Sequence, residues 1–160
     1  MSGETPPPPS PAPLVVDLLW EGERRFRGRS GDVELVLDSP PTAGPSPVQA
    51  LGFAIAGCMA LDVADIVQKG RLDLKGLRVH LLARRSPEHP KRLLAVDLRF
   101  TVEGDVPRDR IARAIQLSRE RYCSVWHSLR QDIELTTSFE SGEGGEHHFP
   151  PQGPEGGVTG

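Results

Sequence analysis

The stretch PVQALGFAIAGCMALDVADIVQK, residues 47–69, decides how the rest of the chain is read. Ser46 sits where an N-cap belongs, Pro47 takes the first helical position, and Gln49 completes the spacing of a capping box. Gly70 is placed to close the helix. The early turns are apolar almost all round, through Val48, Leu51, Phe53, Ile55, Cys58, Met59 and Leu61. Polar residues return only as a stripe at Asp62, Asp65, Gln68 and Lys69. A helix that is apolar on every side is buried on every side. A chain of 160 residues can hardly surround it alone, so a partner subunit is expected to supply the missing wall. The longest unbroken apolar stretch, residues 50–61, is short of the roughly 20 residues a bilayer span needs, which predicts a core helix and no membrane.

Before this helix, residues 14–20 (LVVDLLW), 24–29 (RRFRGR) and 33–38 (VELVLD) are β-leaning and separated by Glu21-Gly22-Glu23 and Ser30-Gly31-Asp32. They predict three short strands in an antiparallel meander. Residues 39–47 (SPPTAGPSP) carry four Pro and a Gly and read as a loop. After the helix come a strand over 77–85, a turn at 86–91 (SPEHPK) and a strand over 93–102. A helix follows with Pro107 at its start and Ile111, Ala114, Ile115, Ser118 and Tyr122 at helical spacing. A short helical segment over 124–130 and a strand over 133–140 (IELTTSFE) complete the order βββ-α-ββ-α-α-β. This is an α+β pattern, with helices on antiparallel sheet.

Residues 1–13 hold six Pro, and residues 141–160 hold seven Gly and three Pro. Neither can bury enough apolar surface to offset the entropy of ordering, so both are expected to be disordered tails around one domain over 14–140. All 19 Lys and Arg lie in that domain, and four of the 22 Asp and Glu lie in the tails, so the domain is close to neutral. Arg108, Arg110, Arg113, Arg119 and Arg121 are interleaved with Asp109 and Glu120 and lack an aromatic platform. They read as a solvated helix face, and nucleic acid is not an expected partner. No secretory leader pattern opens the chain, and the two Cys do not make a disulfide scaffold. A cytoplasmic location is expected.

Cys58 lies inside the apolar helix beside Ala56 and Gly57, which leave room for another atom to approach. Cys123 lies at a helix break. From the residues alone three readings stand: two small core hydrophobes, a thiol–disulfide pair, or a metal site. For the last, Cys123 and His127 are four apart, with Cys58 and His80 or His89 as further ligands. No CxxC or HxxxH pair supports it.

The run Gly44-Pro45-Ser46-Pro47-Val48-Gln49-Ala50-Leu51, then Ala56-Gly57-Cys58 and Ala60-Leu61-Asp62-Val63, resembles the central-helix signature of the OsmC/Ohr family, the osmotically inducible and organic hydroperoxide resistance proteins. Tyr122-Cys123-Ser124-Val125 resembles the second cysteine motif. Glu88-His89-Pro90 and Asp132-Ile133-Glu134-Leu135 fit the same pattern. The resemblance covers residues 14–140 and is nearest to the OsmC-like branch.

The resemblance implies an intertwined homodimer, with antiparallel sheets wrapped around long central helices. It implies a thiol peroxidase of organic hydroperoxides. Cys58 would be the peroxidatic residue, Cys123 would resolve its sulfenic acid as an intramolecular disulfide, and a lipoyl-type dithiol would reduce that disulfide. No cofactor and no metal are implied. A thiolate in an apolar helix is penalised by desolvation, so a cation must offset the cost. The family uses an Arg from the N-terminal strands, oriented by a Glu near the start of the central helix. Arg25 is the expected Arg, and the Glu position is occupied here by Gln49. Neutral Gln cannot form the charge-assisted pair. That departure keeps an alternative in view: a non-enzymatic dimer of the same fold that binds a small apolar ligand or a protein partner.

Overall fold

The computed structural model describes residues 5–142. The chain forms two compact units, one through Phe53 and one from Ala54 onward. Helix α1, Pro47–Lys69, belongs to both in sequence.

The first unit is a meander of β1 (Asp17–Gly22), β2 (Arg25–Ser30) and β3 (Val33–Asp38). Both pairings are antiparallel, as expected. The turns fall where the sequence placed them, at Gly22 and Glu23 (φ 110° and 49°) and at Gly31 (φ 58°). β1 starts later than residue 14, because β2 offers partners only as far as Arg29, opposite Asp17. The preceding Val15 carbonyl accepts from the Ser30 hydroxyl at 2.8 Å instead. In the loop after β3, Gly44 lies against the Val36 backbone so closely that a Cβ there would collide with the Val36 carbonyl oxygen.

The second unit continues α1 and adds β4 (Asp73–Arg85), β5 (Leu93–Asp105), α2 (Arg108–Leu117), a π-helical turn (Ser118–Tyr122), α3 (Ser124–His127) and β6 (Glu134–Gly142). The element order matches the expected α+β pattern. The sheet runs β4-β5-β6. β4 and β5 are antiparallel, but β5 and β6 are parallel, which corrects the expectation of antiparallel sheets throughout. The reason lies in the connection. A tight turn can join only antiparallel neighbours, whereas α2, the π turn and α3 form a crossover long enough to bring β6 back in the direction of β5. β6 also runs to Gly142, two residues into the stretch read as a tail. Residues 5–13 form no helix or strand, and the rest of the expected C-terminal tail lies outside the described residues.

The core follows the two periodicities of the sequence. Val96, Leu98, Phe100 and Val102 alternate along β5, and each is at most 1% exposed. Ile111, Ala114 and Ile115 come from one face of α2. From α1 the stripe Ile55, Met59, Val63 and Val67 is buried, at the i, i+4 spacing of a helix face. Other apolar residues of α1 are half-buried, among them Leu51 and Ile66, and two large ones stand open: Phe53 is 72% and Leu61 73% exposed. By length and composition α1, with mean hydropathy 1.9 over its best 18 residues, would suffice to cross a bilayer, and 22% of that window is buried in the chain. A core helix that lacks one wall passes the same test.

Candidate active site

The site grows from one turn of α1. Cys58 and Asp62 are four residues apart and share a face. The opposite side comes from the end of α2. There the helix widens into a π turn, closed by the Cys123 N–H donating to the Ser118 carbonyl at 2.9 Å. A π turn spends one extra residue per bond, which changes the direction in which the following residues leave the helix. Cys123 then turns extended (φ −69°, ψ 92°) and caps α3, its Sγ accepting the Trp126 N–H at 3.4 Å.

The result is a cluster in which Cys58 Sγ, Cys123 Sγ and a carboxylate oxygen of Asp62 lie within 4.8 Å of one another. Both thiols are free. Cys123 is fully buried, and Cys58 and Asp62 are half-buried. The Ser118 hydroxyl, itself fully buried, donates to Asp62 Oδ2 at 2.7 Å. The Cys123 thiol is pushed up to about 11. Burial is the main cause; Cys58 and the Asp62 charge push the same way, and the Trp126 N–H pulls against them. Cys123 therefore carries its proton at neutral pH.

Arg25 and Gln49 lie in the first unit. Arg25 donates to Asp38 Oδ2 from Nε at 3.2 Å and from Nη2 at 2.9 Å. The same oxygen accepts from the Thr42 hydroxyl at 2.6 Å and from the Ala43 N–H at 3.1 Å. These donors, Thr42 first, then Ala43 and Arg25, hold the Asp38 carboxyl far below the usual carboxylate range. Gln49 is engaged elsewhere. Its Oε1 accepts the Ser46 N–H at 2.9 Å, and Ser46 Oγ accepts the Gln49 N–H at 3.4 Å. This is the reciprocal capping box that the Ser46/Gln49 spacing predicts.

Asp38, Thr42 and Ser118 of these networks were not singled out from sequence. Asp38 could have been, because it is the register partner of Arg25 across the β2–β3 hairpin, an opposite-charge pair in an antiparallel ladder. Asp62 was visible as part of a polar stripe and within the run Ala60-Leu61-Asp62-Val63, without a role of its own. Ser118 looked like one more position on a helix face. For a metal, two sulfurs and one carboxylate oxygen are one ligand short of a tetrahedral set. The members are Cys58, Asp62 and Cys123, whereas His80, His89 and His127 lie exposed outside the cluster.

Comparison with known proteins now bears on this arrangement. Residues 39–138 match the family model described as OsmC-like protein. The chain belongs to the OsmC-like protein family. The matched region includes Gln49, Cys58, Asp62, Ser118 and Cys123, and begins just after Asp38. Protein YhfA of Escherichia coli is 40% identical over 126 residues, which span 77% of this chain and 94% of that protein. A hypothetical protein from Aquifex aeolicus has a solved structure with TM-score 0.77 at 25% identity, covering 84% of this chain and 99% of that one. The organic hydroperoxide resistance protein OsmC from Legionella pneumophila has TM-score 0.62 at 12% identity, covering 82% and 98%, a likeness of fold.

Proposed function

We propose that this OsmC-like chain is a cysteine-based thiol peroxidase that reduces organic hydroperoxides to alcohols. The observation that carries the reading is the meeting of Cys58 and Cys123, far apart in sequence, as free thiols within 4.8 Å. Hydroperoxide resistance appears in the name of a protein that shares this fold, and it supports the same reading.

Cys58 is the sulfur with access to solvent, so it takes the peroxidatic part. Its thiolate attacks the peroxide O–O bond, the alcohol leaves, and Cys58 becomes a sulfenic acid. Cys123, buried behind it, attacks that sulfur; the S–O bond breaks, water leaves and a disulfide forms. A dithiol of the lipoyl type then reduces the disulfide by exchange. Arg25 is the cation that offsets the cost of the Cys58 thiolate. In this reading Asp38 orients Arg25, since its carboxylate is bonded to the guanidinium, while Gln49 anchors the start of α1. The working form is an intertwined homodimer, in a reducing compartment such as the cytoplasm, where free thiols persist.

The test is hydroperoxide consumption with dihydrolipoamide as reductant, comparing organic hydroperoxide with hydrogen peroxide. Turnover is expected to favour the organic substrate and to fall to background in Cys58→Ser. Intact mass after one equivalent of cumene hydroperoxide should show loss of two hydrogens per chain. A folded protein that stays reduced and turns over no faster than Cys58→Ser would sink the peroxidase and favour the passive ligand- or protein-binding dimer.

A further inference from the structure

The resolving step poses a chemical problem that the cluster itself answers. Cys123 is fully buried, so bulk water does not reach its thiol. Its proton must leave as the sulfur attacks Cys58, because the S–H becomes strongly acidic only while the S–S bond is forming. A base held beside the sulfur is needed at that moment. Among the described residues, the carboxylate that shares the cluster with both sulfurs is Asp62. It is not a loosely solvated surface acid. Cys58 stands one turn before it on the same helix face, and the buried Ser118 hydroxyl grips one of its oxygens at 2.7 Å. Ser118 also opens the π turn that delivers Cys123, so one residue positions both the base and the thiol. Among the described residues, Cys58 on α1 is the other titratable group that acts on the Cys123 thiol. Asp65, on the next turn of α1, is tied to Lys69 at 2.6 Å.

We infer that Asp62 is the proton acceptor that lets Cys123 close the disulfide on Cys58. The inference rests on the reading that these cysteines are a redox pair. In the peroxide cycle the Cys123 sulfur supplies the electron pair of the new S–S bond and the S–O bond of the sulfenic acid breaks. The Cys123 proton passes to Asp62 and then to the departing hydroxide, giving water and restoring the carboxylate. Condensation of the thiol with the sulfenic acid needs no further oxidant or reductant.

Closure can be isolated from peroxide chemistry with dithiobis(nitrobenzoate). The reagent caps Cys58, releasing one coloured thiolate, and Cys123 then displaces the second. Asp62→Asn should slow the second release, measured against the first in the same sample, by about 100-fold, the lower range for a positioned proton acceptor. Its closure rate should then climb more steeply with pH than that of wild type, as hydroxide takes over. Asp62→Glu should restore part of the rate. Ser118→Ala, which keeps the carboxylate and removes its holder, should fall between wild type and Asp62→Asn. The opposite result is well defined. If Asp62 only burdens Cys123 with a neighbouring negative charge, Asp62→Asn lowers the thiol pKa and closes faster. Closure as fast as wild type, or faster, overturns the inference. A parallel arm, sulfenic acid trapping in Cys123→Ser after organic hydroperoxide, reports on the peroxidase alone. Failure there would remove the substrate assignment and leave the Asp62 result standing.

Discussion

At the residue scale, the two networks use carboxylates in opposite ways. Asp38 is saturated with donors, from Thr42, Ala43 and Arg25, and its charge is locked in place. Asp62 is held by one hydroxyl and keeps capacity for the sulfurs beside it. The Asp38 carboxyl is held well below its ordinary value in the folded chain, so the unfolded chain binds its proton more readily. Its contribution to stability is therefore present above the unfolded carboxylate range and is lost as pH falls toward the depressed folded value. Asp38→Asn should lower the urea midpoint at neutral pH and flatten the decline of that midpoint between about pH 5 and pH 2. An acid limb unchanged by the substitution would show that the clamp adds nothing to folding. Gln49 shows the limit of matching one position at a time. Its capping partner Ser46 was readable three residues away, but the carboxylate that holds Arg25 sits on a neighbouring strand.

At the scale of elements, the decisive device is the passage from α2 through the π turn to α3. Helical spacing predicts Ile111, Ala114 and Ile115 as a buried face, and they are buried. The same spacing extends smoothly to Tyr122, which is 53% exposed, because the π turn shifts the phase after Ser118. Period counting cannot register one inserted residue when several side chains around it are polar. A second element-scale feature is the end of β5. Gly104 has φ 111°, and a Cβ there would collide with the Asp73 carbonyl oxygen across the β4–β5 bulge. Gly104→Ala meets both the backbone conformation and the clash. It should destabilise the protein by more than about 1 kcal/mol, the range in which an incompatible backbone site outweighs the entropy gained in the unfolded chain. Thermal or urea unfolding would show it. A variant as stable as wild type would mean that β4 moves aside freely.

At the scale of the molecule, apolar surface is left open where the sequence predicts a missing wall. Phe53 and Leu61 on α1, with Leu19 and Trp20 on β1, are each more than 60% exposed. Soluble monomers seldom carry so many large apolar side chains in the open. A second copy of the chain is the covering that the homodimer proposal supplies. Sedimentation should give twice the chain mass at micromolar concentration. Leu61→Asp should weaken association by at least about 10-fold, since burying one such side chain contributes roughly 1.5–3 kcal/mol and a symmetric interface counts it twice. A wild-type chain that sediments as a stable monomer would overturn the dimer and return these residues to open surface.

Local rules carried much of the fold. Turn residues marked the hairpins of the first unit, the Ser46/Gln49 box and Gly70 bracketed α1, and strand alternation picked out the β5 core. These depend on neighbours within a few positions, so one chain of letters contains them. The cysteines too were legible, through their motifs and the room beside Cys58. What sequence order did not contain was pairing over long separations. The parallel register of β6 on β5 and the grip of Ser118 on Asp62 join residues dozens of positions apart, and the meeting of the two sulfurs was expected from the family resemblance, not from the residues alone. Such contacts are set by how the crossover packs and where the π turn releases Cys123. Only the tertiary structure could decide them, because the free energy that selects them comes from burial and bonding between elements, not from the preferences of either segment.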